Sequence, residues 1–227
     1  DHISSYLFAP TENAEQNLKL ENVWGKTFVT GNTVIDAVKQ HLPLAKQKSK
    51  ILDESKFEKF ALVTAHRAEN VDNPTVLKDF VESFIHAPIP IIYPIHPRTR
   101  KQLHKQKLWK TLFSSENVQI LPPIGYFDFL ILMKNCEMII TDSGGIQEEA
   151  TAPQIRKPVL VTRISTERPE AVEAGFAKIV GVKKNKIITA MKQTLNEKHE
   201  FPQRSPYGNG ASGELIVEIL RKTHFSA

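Results

Sequence analysis

Between residues 60 and 180 the chain repeats one pattern six times: a short apolar run, a polar loop, then a helix signal. The runs are 60–65, 90–95, 118–121, 138–141, 159–162 and 177–180. Apolar runs this short and unbroken read as strands buried on both faces. Helices between such strands make βαβ units, which close as a parallel sheet with helices on both sides. The predicted fold class is therefore α/β, a Rossmann-like doubly wound parallel sheet. Helices are expected over 74–84, from Pro97, and over 127–135, 145–152, 169–174, 184–196 and 211–222. Pro74 and Pro97 each suit a first helical turn.

Residues 1–31 do not fit inside that sheet. They read as a strand over 6–9, a helix over 11–20 and a strand over 27–30. Two strands expose their edges and cannot build a core. The chain also begins at Asp1 without a methionine, which reads as the middle of something longer. A long helix over 33–48 leads into the main domain.

Composition narrows the function classes. A net charge of +5 is spread among acids, and the densest basic run, Lys46-Gln47-Lys48-Ser49-Lys50, has no interleaved aromatic residue. It reads as a solvated helix end, so no nucleic-acid partner is expected. A modest positive balance suits a small anionic substrate. Cys136 is the only cysteine, which excludes an internal disulfide and a cysteine-rich metal site. His66, His86, His96 and His104 lack tight ligand spacing, so no metal is expected. No apolar run approaches 18 residues, and the expected location is cytoplasmic, with no membrane partner.

Three strings follow buried strands: Thr64-Ala65-His66-Arg67-Ala68-Glu69-Asn70, Thr141-Asp142-Ser143-Gly144-Gly145-Ile146-Gln147-Glu148-Glu149-Ala150 and Thr166-Glu167-Arg168-Pro169-Glu170. Loops at strand carboxyl ends are where open α/β sheets bind ligands. Ser143, Gly144 and Gly145 open a helix whose first amides can take an anion, with Glu149 one turn further in to reach a ribose diol. The simpler reading is a helix capped by Asp142 or Ser143. His66 and Arg67 both suit phosphate, and Glu69 could orient either one. Arg168 should point over the sheet edge, unless it pairs with Glu167 or Glu170. His96, at another strand end, is a weaker candidate of the same kind. Gly208-Asn209-Gly210-Ala211-Ser212-Gly213 spells a dinucleotide fingerprint, but no strand precedes it. It reads as a loop capping the last helix.

These strings, with Gly31-Asn32-Thr33-Val34-Ile35-Asp36 and Pro206-Tyr207-Gly208-Asn209-Gly210, resemble the non-hydrolysing UDP-N-acetylglucosamine 2-epimerases. The likeness runs over nearly the whole chain in consistent order. It implies one Rossmann-like lobe, the carboxyl-terminal one, of a two-lobed GT-B fold. Residues 1–31 would be a remnant of the amino-terminal lobe, 32–204 the UDP-binding lobe, and 205–227 a loop and helix crossing back. The implied reaction interconverts UDP-N-acetylglucosamine and UDP-N-acetylmannosamine by elimination and re-addition of UDP through 2-acetamidoglucal, without a cofactor. The resemblance implies that His66 assists departure of UDP. Ser143, Gly144 and Gly145 would hold the phosphates, Arg168 would pair with them, Glu149 would bind the ribose, and Phe129 would lie at the uracil. Arg67 and His96 would complete the substrate contacts. Ile124 stands where some members carry glutamine near the base. The acid–base carboxylates would lie upstream of Asp1, so the chain alone is expected to be inactive, while the full-length protein would be a homodimer. Two alternatives stay open: a lobe of a UDP-sugar glycosyltransferase, and a non-catalytic nucleotide-binding module.

Overall fold

The computed structural model describes residues 1–224 and forms two parallel sheets. The small unit is β1 (Tyr6–Ala9), α1 (Glu12–Leu20) and β2 (Lys26–Val29), followed by the long helix α2 (Thr33–Lys48). The main domain begins with β3 (Ala61–Thr64), α3 (Ala68–Val71), α4 (Pro74–Ile85), β4 (Ile91–Pro94) and α5 (Pro97–Lys105). It continues with α6 (Trp109–Phe113), β5 (Val118–Leu121), α7 (Tyr126–Asn135), β6 (Met138–Thr141) and α8 (Gly144–Glu149). It ends with β7 (Val159–Val161), α9 (Pro169–Glu173), β8 (Ala177–Ile179), α10 (Lys184–Asn196) and α11 (Ser212–His224).

The main sheet has the order β5-β4-β3-β6-β7-β8, all parallel. Its strands are buried on both faces, as their unbroken apolar runs require. Leu62, Ile92, Ile139, Val159 and Val161 join the core under α2, α7 and α8. Their neighbours Ala61, Val63, Ile91, Met138, Ile140 and Leu160 face the opposite core, with α4 and α10. The strand order reverses between β3 and β6, which pair from Ala61↔Met138 to Thr64↔Thr141. That switch point opens a crevice at the strand carboxyl ends.

The structure corrects several element ends. Thr162 lies beyond β7, although its amide still donates to Thr141 O at 2.9 Å. The helix expected to reach 152 stops at Glu149, ahead of Pro153, which disfavours helical backbone at the residue before it. Neither α3 nor α6 was anticipated. At four and five residues they are too short for helical periodicity to register.

The small unit is thinly packed. Its helix α1 buries no residue, and Phe8 stacks on Phe28 at 6.0 Å while Trp24 is 68% exposed. One tie to the main domain is the Thr11 hydroxyl, which donates to Glu170 at 2.7 Å. The connection between the two units is close-packed. Gly31 has φ +81°, and a Cβ there would stand 2.7 Å from Ser212 Oγ and 3.0 Å from Tyr207 O. The glycine-rich string at 208–213 packs against this connection and runs into the first turn of α11, where the capping side chain is Asp36 on α2, accepting from the amides of Ser212 at 3.1 Å and Gly213 at 2.9 Å. Asp36→Ala is expected to cost roughly 1–2 kcal/mol, the loss of a helix cap. Urea unfolding checks this, and an unchanged midpoint would mean that water replaces the cap without loss.

Candidate functional site

The site is assembled around one carboxylate. Asp142 follows β6 and is fully buried. Its oxygens accept from the backbone amides of His66 at 3.0 Å and Arg67 at 2.9 Å, and from Asn70 Nδ2 at 3.1 Å. Asn70 also donates to Thr162 O at 3.1 Å, past the end of β7. One level below, Thr64 and Thr141 share a hydroxyl hydrogen bond of 2.6 Å, and Thr141 Oγ1 accepts from Ser143 N at 2.9 Å. Asp142 thus orders the β3 loop and does not cap α8, and the Ser143 side chain caps nothing either. This overturns the simpler helix-cap reading of Asp142 and Ser143. Residues remote in sequence converge because β3 and β6 are neighbours in the sheet.

Two histidines meet over this floor. Their rings lie 5.4 Å apart. His66 Nδ1 stands 3.5 Å from Asp142, which leaves Nε2 as the nitrogen available to the cleft. His96 caps α5 by accepting from Arg98 N through Nδ1 at 3.1 Å, so its ring proton, when neutral, sits on Nε2. The Ala65 carbonyl between them is pinned by Tyr93 OH at 2.8 Å and Thr99 Oγ1 at 2.7 Å.

A cleft of about 400 Å³ opens beside the histidines, lined by His66, His96, Ile124, Tyr126, Phe129, Ser143 and Ile146 among others. Its lining combines aromatic and aliphatic side chains with polar ones, which suits a flat base joined to a charged group. Among the described residues no carboxylate lines it. Glu149 lies near it, beside the Tyr126 hydroxyl. Its Oε2 is buried without a protein hydrogen-bond partner among the described residues. Burial is the main cause that pushes its pKa from 4.5 up to about 7, with Glu148 adding repulsion and Tyr126 opposing.

The third string reaches α8 through two side chains. Gln147 is buried and accepts from Thr166 Oγ1 at 2.7 Å, while Thr166 Oγ1 takes the amide of Arg168 at 3.1 Å. Arg168 forms an ion pair with Glu148, and not with Glu167 or Glu170, the alternative to its pointing over the sheet edge. Its guanidinium lies against Gly144, within 3.7 Å of where a Cβ would stand. Arg67 is the predicted residue that the structure turns away: it faces Glu167 at 3.9 Å and does not line the cleft. Glu69 orients neither His66 nor Arg67; it pairs with Arg163 at 3.2 Å.

Of the predicted residues, His66, His96, Phe129 and Ser143 therefore share one cleft, and Gly144, Gly145, Glu149 and Arg168 flank it on or beside α8. Sequence reasoning missed the organising roles of Asp142, Asn70, Gln147 and Glu148. The only available signal was polar residues placed directly after apolar runs.

Residues 1–221 match the family model described as UDP-N-acetylglucosamine 2-epimerase. A Methanocaldococcus jannaschii UDP-N-acetylglucosamine 2-epimerase is 46% identical, over 97% of this chain and 62% of the relative. A crystal structure of the Methanocaldococcus jannaschii UDP-GlcNAc 2-epimerase in complex with UDP-GlcNAc and UDP superposes with TM-score 0.88 at 45% identity, covering 98% of this chain and 62% of that one. The Neisseria meningitidis UDP-GlcNAc 2-epimerase bound to UDP-GlcNAc gives TM-score 0.80 at 36% identity, covering 96% and 62%. This chain spans about 62% of the length of the first of these relatives.

Proposed function

We propose, from the premise that this chain belongs to the UDP-N-acetylglucosamine 2-epimerase family, that it is the UDP-binding, carboxyl-terminal lobe of an enzyme that interconverts UDP-N-acetylglucosamine and UDP-N-acetylmannosamine. The observation that carries this reading is the buried Glu149 oxygen without a protein partner, one turn along α8 from Ser143, Gly144 and Gly145 and next to a cleft with aromatic side chains in its lining. A nucleoside diphosphate uses all three features at once. Its ribose diol takes Glu149, its phosphates take the first amides of α8 and Arg168, and its base lies against Phe129, Tyr126 and Ile124. In this reading Arg67 serves the substrate only after leaving Glu167.

Breaking the anomeric C–O bond sends negative charge onto the diphosphate, so donors fixed beforehand lower that barrier. A protonated His66, its Nδ1–H turned toward Asp142, can offer Nε2–H to the departing oxygen. The C2 proton needs a base, and among the described residues no carboxylate lines the cleft. Glu69 and Glu167 are engaged with Arg163, and Asp142 with the β3 loop. In this reading the base belongs to the portion of the family fold that this chain does not span. In the same reading 1–31 is a remnant of the other lobe, 32–204 is the UDP lobe, and 205–227 crosses back. The full-length protein is then a cytoplasmic homodimer, which sedimentation of that protein tests. Among the described residues no helix is long and apolar enough to cross a membrane.

The test has two arms. Calorimetry is expected to detect UDP binding by this chain. In deuterated water the same chain, given UDP-N-acetylglucosamine, is expected to leave C2 unlabelled by NMR. Absence of UDP binding would remove the nucleotide assignment, and rapid labelling at C2 would put the base within this sequence.

A further inference from the structure

We propose that Glu148 is a positioning residue that sets Arg168 for the diphosphate and ties that arginine to the connection between the two sheets. The inference rests on the UDP-binding reading above and deepens it. Glu148 is 7% exposed and sits in α8 between Gln147 and Glu149. It pairs with the Nε side of Arg168, and the Asn32 side chain stands beside it as a polar neighbour. Asn32 is the residue that caps α2, its Oδ1 taking the amide of Val34 at 3.0 Å, and its own amide donates to Tyr207 O at 2.8 Å. A single buried carboxylate therefore joins the arginine of the third string to the start of α2.

The contacts of Arg168 divide its nitrogens among different neighbours, the one to Glu148 being an ion pair without a directional hydrogen bond. Nη1 is taken by the Glu167 carbonyl at 2.9 Å, and Nε faces Glu148. Nη2 lies 3.8 Å from the position of a Cβ on Gly144, so the remaining donors look toward the start of α8. A free arginine side chain would sample many rotamers, and ordering it on binding costs affinity. Glu148 holds it in place before any ligand arrives. Burial pushes the Glu148 pKa upward, and the Arg168 guanidinium beside it opposes that rise.

A role confined to Arg168 affects phosphate and spares the nucleoside. Calorimetry with UDP and with uridine on the wild-type chain, Glu148→Gln and Glu148→Asp separates the two. Glu148→Gln keeps the volume and loses the charge. It is expected to weaken UDP binding roughly tenfold, about 1.4 kcal/mol, with uridine affinity unchanged. Glu148→Asp keeps the charge on a shorter stem and is expected to fall between, which keeps the test alive if Glu148→Gln folds poorly. Equal loss of UDP and uridine affinity would reduce Glu148 to general packing and overturn the inference. Unchanged UDP affinity in both variants would overturn it too, leaving the UDP-binding reading intact. No UDP binding by the wild-type chain would remove that reading and the inference together.

Discussion

Asp142→Ala is expected to abolish measurable UDP binding by this chain and to destabilise it by several kcal/mol, at roughly 1–3 kcal/mol for each buried donor left unsatisfied. The carboxylate is fully buried and takes two backbone amides and the Asn70 side chain. Its removal strands those donors away from water, and unsatisfied buried donors are what makes such deletions costly. The functional loss has the same origin. His66 keeps its place only while its amide and its Nδ1 both face Asp142. Asp142→Asn is expected to recover little, because an amide group turns N–H toward N–H on one side. Urea unfolding and calorimetry on both variants check this. A wild-type midpoint in Asp142→Ala would show that the β3 loop holds its form without the carboxylate.

Glu149→Gln is expected to do the opposite to stability. Glu149 titrates at about 7 in the folded chain against 4.5 for a free carboxyl, chiefly because of burial. A raised acid pKa means that between these two values the folded state keeps a proton the unfolded state has lost. Stability therefore falls as pH rises from about 4.5 to about 7, and stays lower above that. The shift corresponds to about 3 kcal/mol at one unit per 1.36 kcal/mol. Glutamine has no proton to lose, so the variant should be more stable than wild type above pH 7, with the gain fading toward pH 4.5. UDP binding should move the other way, by roughly tenfold or more, as the ribose loses a charged acceptor. Parallel thermal unfolding across that pH range and UDP calorimetry measure both. A pH-independent difference between the two proteins would mean that Glu149 ionises freely in the fold.

The two outcomes together separate structural from ligand-facing carboxylates on adjoining elements. Asp142 is fully paired within the protein, so its deletion harms fold and site alike. Glu149 has an oxygen left over, so its neutralisation relieves the fold and harms only the site.

Much of the architecture was legible in the chain. The runs at 118–121 and 138–141 became β5 and β6 without a shift, and the helices at 33–48 and 184–196 became α2 and α10. These elements have strong local causes: unbroken apolar residues for a buried strand, and a polar cap such as Asn32 or a long apolar stripe for a helix. The strings after the strands also marked the right loops, since a polar residue following a buried strand must emerge at the sheet's end. The short helices α3 and α6 escaped notice because one turn carries no period.

The sequence by itself determined the α/β class, the strand ends that bear the polar loops, and through its motifs the family. It could not determine which strand lies beside which. The register Thr64↔Thr141 joins residues far apart in the chain, and only that register brings the Asp142 carboxylate under the amides of His66 and Arg67. Side-chain partners were decided at the same level. Arg67 faced Glu167, Glu69 took Arg163, and Glu148 took Arg168, because a charged group pairs with whatever the packed fold sets within reach and not with its neighbours in sequence. Local propensity is a property of a segment, whereas a binding site is a property of the distances between segments, and those are fixed only when the non-local strand pairing is complete.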